Sequence, residues 1–207
     1  MGTAIHGIMQ KRVNDQWEDI PFNFGEDRHY QLFAVLAGVR NGYGCAGCLT
    51  GEAVVPIAEP RGLPEDFTMD YDVHPVANPD VLLPWQREEE GPFEKWIGDH
   101  SFSWLTGQEM LEGYEKLPVV TKYGVLPRQE YEQWDKVSEP ESYSGGVCGP
   151  GVVLVNSVEA AERTPGWNYI RCSWQQGLKE ELAYFFEEVR NLVQEHGEIR
   201  YVFGFDS

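Results

Sequence analysis

The sequence predicts an α+β fold: one domain over residues 1–207, with a mixed, mainly antiparallel sheet, packed helices and long irregular loops. Three observations lead there. An alternating segment broken by a two-residue turn opens the chain. A strand, an amphipathic helix and a second strand close it. Between these ends lie stretches rich in glycine, proline and acid, with little periodicity.

Residues 3–13 alternate as a strand, Asn14-Asp15 supplies the turn, and residues 16–21 return as the second arm of a hairpin. Side chains alternate along a strand, so Ala4, His6 and Ile8 share one face, while Ile5, Gly7 and Met9 share the other. Asp27 stands where it can cap a helix over residues 28–39, in which Tyr30, Phe33 and Leu36 recur at helical spacing. Residues 41–51 read as a loop, 53–59 as including a short strand, and Pro60-Arg61-Gly62-Leu63-Pro64 as a turn. The proline- and acid-rich interval at about 64–98 reads as a loop insertion, either a lid or binding loop or a poorly ordered segment.

Residues 99–103 read as a loop ahead of a helix, because Thr106 and Glu109 have the spacing of a capping box for a helix reaching about Lys116. Residues 117–151 again read as loop. Residues 169–174 then alternate, with Ile170, Cys172 and Trp174 on one face. Leu178, Leu182, Phe185, Phe186, Val189 and Val193 mark one amphipathic helix, stopped by Gly197, and residues 199–205 form the last strand. Strand, helix and strand in this order predict a crossover onto a single sheet.

Acidic side chains number 34 against 16 basic ones, a formal net charge of −18. Such a surface repels phosphate backbones, so nonspecific nucleic-acid binding is not expected. A local pocket for a small anion, mimicry of DNA charge, or solubility alone all remain open. No secretory h-region, lipidation signal or bilayer-length apolar run is present, so a cytoplasmic protein without a membrane partner is expected. Reduced thiols follow from that compartment. Cys45-Ala-Gly-Cys48 has the spacing of a zinc knuckle or redox pair, although Cys148 and Cys172 form no second such pair and ordinary thiols explain all four. The chain lacks a phosphate loop, GxSxG, HExxH and the dinucleotide-binding glycine fingerprint.

Two histidine segments stand out, MGTAIHG at the start and GDHSFSWLTGQEM near the middle. With Ala37-Gly38-Val39-Arg40, the PIAEPRGLP run and the VFGFD ending, they resemble a family of phage and prophage proteins that begin MG-x-D-I-H and carry HS-x-SWL. The resemblance implies an aspartate at position 4, where this chain has Ala4. An aspartate two residues before a strand histidine lies on its face, and the two could bind one metal or work as an anion–imidazole pair. The alanine is either natural variation that weakens this chemistry or a replacement that inactivates the protein.

The candidate catalytic positions are therefore Ala4, His6, Asp99 and His100. The candidate ligand-binding residues are Arg40, Arg61, Ser101, Ser103 and Trp104, with His6, Asp99 and His100 as the shell of a possible divalent metal. Each has a plainer alternative. His6 can be a core residue, Ser101 and Ser103 can organise a loop, and Trp104 can be core. Arg61 can pair with Glu59 or another acid, and Asp206 can anchor a histidine, ligate a metal or merely end its strand.

Three functions follow. One is a phosphodiesterase-like hydrolase, acting in the host cytosol on a small phosphorylated ligand such as a cyclic nucleotide signal of host defence. The second is a sponge that sequesters such a nucleotide, with Tyr43, Trp85, Trp96, Phe102, Trp104 and Tyr143 available to stack bases. The third is an acidic interaction module or DNA mimic, relying on clusters such as Glu88-Glu89-Glu90. A homo-oligomer is compatible with all three.

Overall fold

A computed structural model describes residues 2–69 and 96–206, which include eight strands and five α-helices. The α+β expectation holds, but the strands divide between two mainly antiparallel sheets instead of sharing one. The chain forms two compact units. The first takes Tyr30–Pro56 and Gly113–Tyr184; the second takes Thr3–His29 and the described parts of Ile57–Glu112 and Phe185–Ser207.

The second unit is built on a sheet of order β2-β1-β8-β4, with the two-residue β3 (Glu26–Asp27) also paired to β1. Strands β1 (Ile5–Val13) and β2 (Gln16–Ile20) form the expected hairpin. Asn14 and Asp15 have φ of +47° and +63°. Two positive φ values suit a turn whose twist matches the flanking strands. Strand β8 (Ile199–Phe205) is central, antiparallel to β1 on one side and to β4 (His100–Thr106) on the other. All seven of its residues are buried because both faces of the sheet are covered. On one face Tyr201 meets Phe22 and Phe185 at ring separations of 5.2 and 5.9 Å. On the other, Val202 packs with Phe67, Met69 and Ile97, and Ile8, Leu63, Phe102 and Trp104 close around them.

That second face also carries a polar row. Buried Arg200 donates to Gln10 Oε1 at 2.8 Å and to Asp66 Oδ1 at 2.7 Å, while Gln10 donates to Asp19 at 2.6 Å. A buried guanidinium is tolerable only when paired and hydrogen-bonded, and Asp66 brings the pairing charge from the loop before Phe67.

The first unit holds the sheet β5-β7-β6. Strands β5 (Val119–Pro127) and β7 (Trp167–Gly177) are antiparallel, and β6 (Val152–Val155) runs parallel to β7. Short helices α3 (Arg128–Gln133) and α4 (Val158–Arg163) follow β5 and β6, and α1 (Tyr30–Ala37) belongs to the same unit. Ile170, Cys172 and Trp174 are all buried, as the alternation predicts. Helix α5 (Leu178–His196) is the expected amphipathic helix; it counts with the first unit through Tyr184 and with the second from Phe185. Gly197 ends it at φ +79°, its N–H bonded to Val193 O at 2.9 Å.

Four expectations are corrected. The crossover does not return to one sheet, since β7 and β8 lie in different sheets. Residues 53–59 contain no strand. The interval 117–151 is not loop throughout, because it contains β5 and α3; within β5, a Cβ on Gly124 would lie 3.0 Å from Tyr143 and 3.3 Å from Trp174. Glycine is present for close packing inside a strand. Finally, residues 100–106 form strand β4, not a loop, because β8 offers them a partner edge. Most of the interval 64–98, with Trp85 and Glu88-Glu89-Glu90, lies outside the described residues.

Candidate functional site

The end of β8 gathers the sequence-predicted residues. His6 on β1 pairs with Gly204 and His100 on β4 pairs with Phe205, so the two histidines flank β8 from opposite sides. Continuing the β1–β8 register places position 4 across from Asp206. There the Ala4 N–H donates to Asp206 Oδ1 at 2.6 Å, and the Asp206 N–H donates to Ala4 O at 3.1 Å.

Asp206 is the hub. Its Oδ2 accepts from His6 Nε2 at 3.2 Å, and its backbone carbonyl lies 3.3 Å from His100 Nε2. A carboxylate and a carbonyl can only accept, so both Nε2 atoms carry the proton in these bonds. The His6 side chain is 9% exposed against 35% for Asp206, and the Trp96 ring lies against the imidazole at 4.5 Å between centroids. The carboxylate is thus the wet end of a largely dry pair. Such a partner fixes the orientation of the ring.

His100 is held differently. Its ring stacks on Phe205 at 6.1 Å, and its Nδ1 lies 3.0 Å from Ser101 Oγ. The β4–β8 register shifts between His100 and Ser103, and Ser101 has φ +52°. A bulge of this kind redirects a side chain from its regular alternation. Just upstream, Gly98 at φ +97° lets the backbones touch, since a Cβ would sit 2.5 Å from Phe205 O. The Asp99 N–H donates to the same carbonyl at 2.7 Å, leaving the residue exposed beside His100.

The structure brings Ala4, His6, Asp99, His100, Ser101 and Asp206 to one end of one sheet. The remaining expectations are corrected or relocated. Ser103 is fully buried opposite Phe203, away from the exposed surface beside His100, and its Oγ has no hydrogen-bond partner among the described residues. Trp104 belongs to the core around Val202. Arg61 lies 4.0 Å above its ring, donates to Trp104 O at 2.7 Å and grips Glu109 with two bonds of 2.9 and 2.8 Å. A guanidinium engaged in this way staples the PRGLP turn and is no anion clamp. Its acid is Glu109, not Glu59. Arg40 belongs to the first unit, where it adopts φ +55° and lies 5.5 Å from the Tyr30 ring.

Glu109 is also the capping-box acid: Oε2 accepts from Thr106 N at 2.8 Å, and Thr106 Oγ1 accepts from Glu109 N at 3.2 Å. Bonds from Arg61 chiefly, with those from Thr106, lower its pKa to about 2. The positive end of helix α2 (Gly107–Glu115) is therefore served internally. It also lies about 20 Å along the strand from His100, at roughly 3.3 Å per residue, so it does not supply an anion site there.

Among the described residues, no three His, Cys, Asp or Glu side chains come together as a metal-binding group. The shell of His6, Asp99 and His100 is accordingly not assembled, nor is a zinc knuckle at Cys45 and Cys48, whose cysteines are free. Of the proposed stacking residues, Tyr43 is half exposed and Tyr143 packs on Trp174 at 4.6 Å. No helix among the described residues is long and apolar enough to cross a membrane.

Sequence reasoning left Asp206 with several roles; the antiparallel register decides for the histidine anchor. The Arg200–Gln10–Asp66 network had no signal in the sequence, because its members are brought together only across strands and a loop. The chain matches no protein-family model, no curated protein and no solved structure.

Proposed function

We propose that the protein is a phosphodiesterase-like hydrolase of a small phosphorylated ligand, and that the His6–Asp206–His100 cluster is its catalytic centre. The observation that carries this reading is the double engagement of Asp206, whose carboxylate holds one imidazole and whose carbonyl holds the other. Two imidazoles in different settings divide the labour of acid and base. His6, backed by a carboxylate, is suited to hold a proton and give it to a leaving oxygen. His100, with Nε2–H fixed on a carbonyl, presents the Nδ1 lone pair as a base. The resemblance to phage and prophage proteins points to a cyclic nucleotide signal of host defence as the ligand class.

The test is product analysis by liquid chromatography and mass spectrometry with cyclic and linear nucleotides, with and without divalent metal. Turnover should fall by about a hundredfold or more in His6→Ala and Asp206→Asn, the usual scale for acid–base groups. Absence of any product from folded protein would sink the reading.

One observation favours a sponge as the second reading. Position 4 lies across from Asp206 as an alanine, so the carboxylate that an aspartate would add beside His6 and Asp206 is absent. Stoichiometric binding without product, converted to turnover by Ala4→Asp, would establish the sponge for this chain.

A further inference from the structure

Ser101 has features that acid–base work by the histidines does not require. It is a β-carbon-bearing residue at φ +52°, within the irregular part of β4, and it is half-buried with its hydroxyl 3.0 Å from His100 Nδ1. Left-handed backbone at a residue other than glycine, asparagine or aspartate is strained and persists only where surroundings impose it. Here Gly98 packs on the Phe205 backbone on one side and the β8 ladder resumes at Ser103 on the other.

The direction of the His100 bond follows from chemistry. Asp206 O accepts only, so His100 Nε2 carries the proton; in the neutral ring Nδ1 is then an acceptor, and the Ser101 O–H must donate to it. The arrangement has the logic of an activated hydroxyl: nucleophile, base, and a third group fixing the tautomer of the base. The two ring nitrogens exchange their customary roles, and a backbone carbonyl replaces the orienting carboxylate.

We propose that Ser101 is a nucleophile, with His100 as its general base. The proposal rests on reading this site as hydrolytic. Ser101 Oγ bonds to phosphorus as its proton passes to His100 Nδ1, and the bond from phosphorus to the leaving alcohol breaks. That alcohol departs with the proton held by His6. Water then gives a proton to His6 as its oxygen bonds to phosphorus. The serine ester bond breaks, and Ser101 Oγ recovers its proton from His100 Nδ1. The net change is diester plus water to monoester plus alcohol.

The experiment treats the full-length protein with a fluorophosphonate probe and locates the adduct by peptide mass spectrometry. The expected result is an adduct on Ser101, formed about a hundredfold more slowly in His100→Gln. Ser101→Gly, which suits a positive φ, should fold, take no adduct there and lose diester turnover. Should His100→Gln fail to fold, the unsubstituted chain still decides, because a hydroxyl without a base does not react. No adduct on Ser101 in folded protein overturns the proposal, as does an adduct rate unchanged in His100→Gln. Diester turnover retained in Ser101→Gly overturns the nucleophile but leaves the hydrolase reading intact. An adduct on Ser101 with no nucleotide consumed supports the nucleophile and removes the ligand class instead.

Discussion

Glu109 joins a turn, a strand end and a helix start through one carboxylate. It accepts from Arg61 and from both Thr106 donors, and these bonds hold its pKa at about 2 against an ordinary value of 4.5. A depressed carboxyl pKa contributes stability that is fully present above the unfolded value and is lost as pH falls through the folded one. The window here runs from about 4.5 down to about 2. Because the two side chains are 31% and 38% exposed, solvent screening limits the ion pair to about 1 kcal/mol or less. Urea melts of Glu109→Gln beside the unsubstituted protein should therefore show a gap at neutral pH that narrows through this window. A gap independent of pH would show that the carboxylate charge is not what stabilises the turn.

Helix α2 shows how an element depends on one missing side chain. A Cβ on Gly107 would lie 2.6 Å from Val193 and 2.7 Å from Ile199, both apolar groups held by their own helix and strand. The helix starts here because Thr106 and Glu109 cap it, and it approaches α5 and β8 this closely because its first residue is glycine. Gly107→Ala improves intrinsic helix propensity yet overpacks the contact, and should destabilise by about 1–3 kcal/mol. Chemical denaturation measures it; a neutral or stabilising result would mean that Val193 and Ile199 give way freely. Strand β5 teaches the complementary lesson. Its Val119-Val-Thr-Lys-Tyr run carries β-branched and aromatic residues, but it lacks a clean alternation, and pairing with β7 is what makes it a strand.

On the scale of the molecule, the last strand of the chain is the central strand of its sheet. Strands β1 and β4 both pair with β8, and residues 199–205 are buried without exception. Ending the chain after Glu198 would remove the partner of both histidine strands together with Asp206. Circular dichroism and a thermal melt of such a truncated chain should show loss of the cooperative transition. A native-like melt would demonstrate that β1 and β4 hold without β8, and would also remove the structural basis for the site.

The hairpin, the long helix, the capping box and the final strand were legible in the sequence, because each is written in contiguous residues: a two-residue turn, an apolar repeat at helical spacing, a threonine three residues before a glutamate, a short run rich in aromatic and β-branched residues after a helix-ending glycine. The histidines, Asp99 and Ser101 were legible as candidates for the same reason, as residue types in short segments. What each of them touches was decided only by tertiary structure. Arg61 found Glu109, Asp206 took both histidines, Ser103 turned into the core, and β7 and β8 went to separate sheets. These outcomes depend on strand register and partner choice between residues far apart in the chain, and no local periodicity encodes them.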